Sequence, residues 1–152
     1  MSNSTSTTRW TPRSTVAAII EQEGRFLLVE EMINGRPVLN QPAGHLEESE
    51  SIEQALRREV LEETGYHAEP EALLGLYVYR TPDNKLTFHR ICFIAKAIRQ
   101  VENAVLDKGI IRSLWLSRDE IAMADNLRSP YVIECIDDYL SGRRFPLDFI
   151  QE

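Results

Sequence analysis

Cysteine is scarce in this chain of 152 residues, with only Cys92 and Cys135. Two thiols without metal-ligand spacing exclude a disulfide framework and a zinc site, and fit a reduced, cytoplasmic protein. Long apolar runs are missing too. No stretch approaches the roughly 20 residues of a membrane-spanning helix. The Ser/Thr-rich start, Met1 to Thr8, has no apolar core of the kind a secretory signal needs. Residues 1–13 are therefore expected to form a flexible leader, and 14–152 a single domain. Basic clusters are also lacking. Lys and Arg number 17 against 24 Asp and Glu, for a net charge of −7, and the longest basic runs are the pairs Arg57-Arg58 and Arg143-Arg144. That balance argues against a groove for a nucleic-acid polymer. An acidic protein that handles an anionic small molecule needs a cation between the two. None of these features bears on oligomeric state.

What is present is a mixed pattern of short strands and amphipathic helices. Thr15 to Ile20 and Arg25 to Glu30 are apolar runs separated by Glu23-Gly24, which predicts a β-hairpin. Pro37 to Leu39 reads as a short strand before a loop at Gln41-Pro42-Ala43-Gly44. Ser51 with Gln54 forms a capping box, and Gly65 is a stop signal, so a helix is expected over Ile52 to Thr64. Strands are expected at Ala72 to Arg80, Leu86 to Ile98 and Ile110 to Leu116, with a turn at Pro82-Asp83-Asn84. Ser117 and Glu120 open a short helix by the same capping logic. Ser129-Pro130 opens a last one that runs to Ser141 and ends at Gly142. The order of elements predicts one α/β-type (α+β) domain on a mixed sheet.

The helix from Ile52 to Thr64 carries acid where apolar residues belong. At about 100° per residue, Ile52, Ala55, Leu56 and Val60 form the usual inward stripe. On that wheel Ile52 and Glu63 fall just to one side of Glu59, and Ala55 and Glu62 just to the other. The three carboxylates thus share the inward face. Clustered acids at a core edge repel one another and lose hydration unless a positive charge sits among them. A hard divalent cation, Mg²⁺ or Mn²⁺, suits such oxygen ligands and is commonly shared with phosphates. Arg58, four residues before Glu62, is a second source of positive charge. The plain alternative is a solvated acidic patch at a helix end.

The residues around this helix overturn that alternative. Gly44, Glu50, Arg58, Glu59, Glu62, Glu63 and Gly65 stand in the register G-x5-E-x7-R-E-U-x-E-E-x-G-U, with Val60 and Tyr66 at the bulky positions. This resembles the Nudix box at all seven fixed positions, a chance match of about one in 10⁸ per starting point. Tyr66 is aromatic where the family more often has an aliphatic, a departure that touches packing and not chemistry. Val29-Glu30-Glu31, Ile33-Asn34-Gly35, Asn40 to Glu47, Asn126 to Pro130 and Ser141 to Leu147 extend the likeness to bacterial Nudix phosphatases of the NudJ type.

That resemblance implies a Nudix fold, an α/β/α sandwich on a mixed sheet. It implies a metal ion, Mg²⁺ with Mn²⁺ as a substitute, bound by Glu59 and Glu63, with Glu62 assisting and the Ala43 carbonyl as a further ligand. Gly44, Glu50, Arg58 and Gly65 would brace the loop and helix. The implied activity is hydrolysis of phosphoanhydride bonds in nucleoside di- and triphosphates and in thiamine-type diphosphates, releasing orthophosphate. Two alternatives remain open: a pyrophosphohydrolase releasing a monophosphate and pyrophosphate, and a non-catalytic ligand-binding Nudix domain. Such binding domains tend to lose the metal carboxylates, and all three are retained here.

Hydrolysis also needs a proton acceptor within reach of the attacking water. Glu62, Glu59 and Asp107 are the acids available for that role, although Asp107 also reads as a plain loop aspartate. Arg128 and Arg143 are expected to clamp a phosphate, with capping or surface roles as the alternative. Tyr77, Tyr79 and Phe88 could stack on a substrate ring or pack inward. His45 is read as a loop residue, His89 as a half-exposed sheet residue and Trp115 as core.

Overall fold

The computed structural model describes residues 8–152, so the first seven residues of the expected leader lie outside the described residues. The strands are β1 (Arg13–Gln22), β2 (Arg25–Ile33), β3 (Arg36–Asn40), β4 (Ala43–His45), β5 (Tyr66–Arg80), β6 (Thr87–Gln100) and β7 (Ile110–Ser117). The helices are α1 (Ile52–Thr64), α2 (Arg118–Ala122) and α3 (Tyr131–Leu140), followed by a 3-10 turn at Leu147–Phe149. The strands run in the order β3-β2-β1-β6-β5, with β4 paired to β1 and β7 to β2. Among the described strands β1 and β6 pair in parallel and the other pairs are antiparallel, so the sheet is mixed.

β1 is the central strand and is buried from Thr15 to Ile20. Its unbroken apolar run follows from having a core on each side, where alternation would leave a polar face. Val16, Ala18 and Ile20 meet Ala55, Leu56 and Val60 of α1 together with Phe93. Ala17 and Ile19 meet Val132, Cys135 and Ile136 of α3 and Ile121 of α2. The two cores on opposite faces make the α/β/α sandwich. Cys92 and Cys135 are free and buried. Among the described residues no helix is long and apolar enough to cross a membrane.

The helix boundaries agree with the sequence. Ser51 accepts from the Gln54 amide at 3.1 Å while the Gln54 side chain accepts from the Ser51 amide at 2.8 Å. Gly65 ends α1 in the left-handed region at φ 75°. Ser117 and Glu120 form the second capping box on α2.

Three expectations need correction. The leader is expected to reach residue 13, but Arg13 already belongs to β1, in register with Phe88. The stretch expected to be only a loop, Gln41 to Gly44, contains the start of β4, whose register with β1 is Thr15 with His45, Val16 with Gly44 and Ala17 with Ala43. Finally, β5 begins at Tyr66 and not at Ala72. Its ladder with β6 is interrupted at His67/Ala68, Pro70/Ala72 and Leu73/Gly75, and each interruption breaks the period-two pattern by which a strand is recognised.

Candidate active site

β4 is a three-residue edge, and α1 lies along it. The Pro42 carbonyl accepts from the Ala18 amide at 3.0 Å, and the Ser14 carbonyl accepts from the Leu46 amide at 3.2 Å. In an antiparallel ladder this assigns Gly44 to the positions bonded to β1, and leaves the backbone groups of Ala43 and His45 facing away. Side chains of α1 meet those outward groups where a further strand would. The Ala43 amide donates to Glu63 Oε2 at 2.9 Å. The His45 carbonyl accepts from Arg58 Nη2 at 2.9 Å. Ala43's own carbonyl is left facing the helix side, free of the ladder.

Glu59 and Glu63 are buried with 8% and 9% of their surface exposed, as the helical wheel requires. Gly44 is what lets Glu59 in: a Cβ there would stand 2.0 Å from Glu59 Cδ. Burial pushes the Glu63 carboxyl up to about 8, against the bond from Ala43 and with help from the nearby charges of Glu59, Glu31 and Asp107. Burial also raises Glu59, although Arg58 opposes it.

Arg58 is the hub of the loop and helix. It donates to Glu50 from Nε at 2.9 Å and from Nη2 at 2.6 Å, and Nη1 reaches Glu59 at 2.7 Å and Glu62 at 3.1 Å. The Arg58 bond holds the Glu50 carboxyl below the usual range. Gly65 closes the helix under Ala104, whose Cβ would lie 2.9 Å from a Cβ at Gly65.

The three helix acids do not stand as the ready-made cluster that their spacing suggests. Glu59 and Glu62 point to Arg58, Glu63 points to Ala43, and among the described residues no three His, Cys, Asp or Glu side chains converge as a metal group. The donor set nevertheless fits a hard divalent ion: two buried carboxylates with raised affinity for positive charge, a carbonyl free of the ladder, and Glu62 beside them. Glu62 is more open, with 38% of its side chain exposed. Asp107 is exposed, and its amide donates to the Glu62 carbonyl at 2.9 Å, which ties its loop to the last turn of α1.

On the other side of β4 lies a cleft of about 490 Å³, lined by Ala43, Gly44 and His45. Its walls include Glu31, Asn40, Arg90 and Arg128, with Tyr79, Phe88 and Tyr131 as an aromatic side. Tyr79 stands at 5.6 Å from Tyr131 and 6.2 Å from Phe88, ring centre to ring centre. Arg128 reaches Glu31 at 3.8 Å. Arg143 is not brought to this cleft; its guanidinium pairs with Asp138 at 2.9 Å, on the far part of α3. Tyr77 does not line this cleft either; its hydroxyl donates to Asp138 at 2.6 Å and its ring packs edge-on against Tyr131. Trp115 packs edge-on against Tyr66 and donates to its hydroxyl at 3.3 Å, beside a second cleft of about 530 Å³ remote from the acids. Glu31 is a residue that sequence reasoning does not single out. Its signal is a pair of carboxylates, Glu30 and Glu31, at the end of an apolar strand, where the ladder with β7 is also irregular.

This fold and this loop-helix define a Nudix hydrolase, and the Nudix domain family model matches residues 10–134. The chain belongs to that family. Within the family it is similar to Phosphatase NudJ of Escherichia coli K12, with 43% identity over 139 residues, 91% of this chain and 90% of that one. The NudJ of Shigella flexneri is similar to the same extent. A Nudix hydrolase from Nitrosomonas europaea has 48% identity and a TM-score of 0.90 over 93% of this chain and 97% of its own. The crystal structure of a UDP-X diphosphatase, at 21% identity and a TM-score of 0.73 over 93% of this chain and 69% of that one, shares the fold.

Proposed function

We propose that this Nudix hydrolase is a Mg²⁺-dependent phosphatase that releases orthophosphate from nucleoside di- and triphosphates and from thiamine-type diphosphates. The observation that carries the reading is the placement of Glu59 and Glu63 behind β4 with the aromatic cleft in front of it. A terminal phosphate at the strand edge would meet the acid side while the organic group extends into the cleft. Glu59, Glu63 and the Ala43 carbonyl would hold the cation, with Glu62 assisting. When bound, Mg²⁺ or Mn²⁺ neutralises phosphate oxygens and makes a coordinated water more acidic.

The protein's own groups do the rest. Glu62 or Asp107, the more open acids, accept the proton of the attacking water. Arg128 exchanges its long contact with Glu31 for a phosphate oxygen. Tyr79 and Phe88 offer an apolar face to a heteroaromatic ring without reading its edge, which suits several bases and the thiamine pyrimidine alike. Arg143 keeps its place beside Asp138 as a brace.

The test is product identity at early times with one nucleoside triphosphate and Mg²⁺. A nucleoside diphosphate with orthophosphate is expected. A monophosphate with intact pyrophosphate would make the chain a pyrophosphohydrolase, and tight binding without turnover would make it a ligand-binding domain.

A further inference from the structure

Arg90 has no part in the chemistry above, yet it lines the cleft. On β6 it stands in register with Thr15 of β1 and Tyr77 of β5. Cross-strand partners share a face, and Cys92, two residues on, lies in the α3-side core. The Arg90 side chain is therefore directed to the α3 side of the sheet, where it lines the cleft with Thr15, His45 and Phe88.

Its environment is unusual for a guanidinium. Nη2 donates to Gln41 Oε1 at 2.6 Å, and Gln41 is fully buried, so the arginine is gripped from behind by a neutral group. Arg90 takes part in none of the ion pairs among the described residues. Its Nε is buried without an acceptor. The other arginines without a carboxylate partner (Arg9, Arg13, Arg36, Arg80 and Arg99) are exposed, where water solvates them; Arg90 is only partly so. Glu31, the acid in the same cleft, is engaged by Asn40 at 3.4 Å and Arg128 at 3.8 Å. A half-buried cation with a single neutral partner is costly unless an anion completes it.

We infer that Arg90, positioned by Gln41, binds the phosphate that stays on the organic product, so that phosphate monoesters are ligands of the cleft in their own right. The inference rests on the proposed reaction in one respect: the terminal phosphate lies at the acids behind β4, which leaves the inner one to the cleft. Phosphate suits the guanidinium as a multidentate, charged acceptor. Gln41 is a positioning residue, since it acts on substrate through Arg90.

The experiment is equilibrium binding of adenosine monophosphate and of adenosine to the metal-free protein, comparing wild type, Arg90→Gln and Arg90→Lys. Wild type is expected to bind the monophosphate at least about tenfold more tightly than adenosine, with the difference shrinking at high salt. Arg90→Gln should abolish that difference and leave adenosine binding unchanged. With a nucleoside diphosphate and Mg²⁺ it should raise KM about tenfold or more while kcat changes less than about threefold. Equal affinities for the two probes in wild type, no detectable monophosphate binding, or parallel losses for both in Arg90→Gln would overturn the inference. If Arg90→Gln does not fold, Arg90→Lys decides: a reduced difference supports it, an unchanged one overturns it. Release of pyrophosphate in the product assay would overturn the proposed reaction and leave the binding difference standing, so the two failures are separable.

Discussion

The amide of Ala43 donates to Oε2 of Glu63 across 2.9 Å, joining the edge of β4 to the last turn of α1. The bond holds a buried carboxylate that is short of positive charge, because burial and three neighbouring acids oppose its ionisation. A cation placed beside it would relieve that tension.

Glu63→Gln retains the hydrogen bond to Ala43 and removes the charge. The variant should fold with a metal-free melting temperature at or above that of wild type, and kcat should fall by at least about 10²-fold, the scale of losing a principal electrostatic contributor. Steady-state kinetics with calorimetric melting check both halves. Normal turnover in this variant would remove Glu63 from the metal site.

Stability should depend on pH with a definite sign. Glu63 titrates near 8 in the fold against an ordinary value of 4.5. Between those values the folded chain holds a proton that the unfolded chain has lost, so metal-free stability declines as pH rises from about 4.5 to about 8. Cation binding displaces that proton, so the gain in melting temperature from saturating Mg²⁺ should be larger at pH 8 than at pH 6. Melting curves at both pH values, with and without Mg²⁺, test this. Glu63→Gln should flatten the dependence, and a gain indifferent to pH would contradict it.

The two box glycines should fail in different ways. A methyl at Gly44 meets the flexible end of Glu59, which can swing aside. Gly44→Ala should therefore melt within a few degrees of wild type and lose about tenfold or more in kcat/KM. At Gly65 the backbone has φ 75° and the methyl meets Ala104. Gly65→Ala should cost about 1 kcal/mol or more in stability, seen as a lower denaturation midpoint. Matching losses of both properties in both variants would refute this division.

Arg58→Lys keeps a charge and loses the fork. It cannot make the paired contacts to Glu50 together with those to Glu59, Glu62 and the His45 carbonyl. The melting temperature should fall by several degrees, about what 1–2 kcal/mol produces in a chain of this size, and activity should fall with it. An unchanged melting temperature would show that Arg58 is not the brace of this loop.

The sequence made α1 legible because its signals are local. Ser51, Gln54 and Gly65 mark its ends within one turn each, and the helical wheel turns Glu59 and Glu63 inward without knowledge of what they meet. β4 was illegible for the opposite reason. Pro42 and Gly44 within five residues read as a turn, and only pairing with β1 and the side chains of α1 make Ala43–His45 a strand. The start of β5 was hidden by its three ladder irregularities. Arg90 was hidden because an arginine on a strand ordinarily faces water, and the residue that holds it, Gln41, is 49 positions away in sequence. Arg143 had a suitable charge and the wrong neighbourhood.

β4 also makes the site a matter of counting. Along an antiparallel strand, odd and even residues present their backbone groups to opposite sides. Ala43 and His45 serve the helix, and Gly44 serves β1. Adding or removing one residue between Gln41 and His45 would exchange these duties: the amide that grips Glu63 would turn into the ladder, and the glycine that admits Glu59 would move off its place. Two residues would restore the parity. The segment can change its chemistry at several positions, but its length can change only in steps of two.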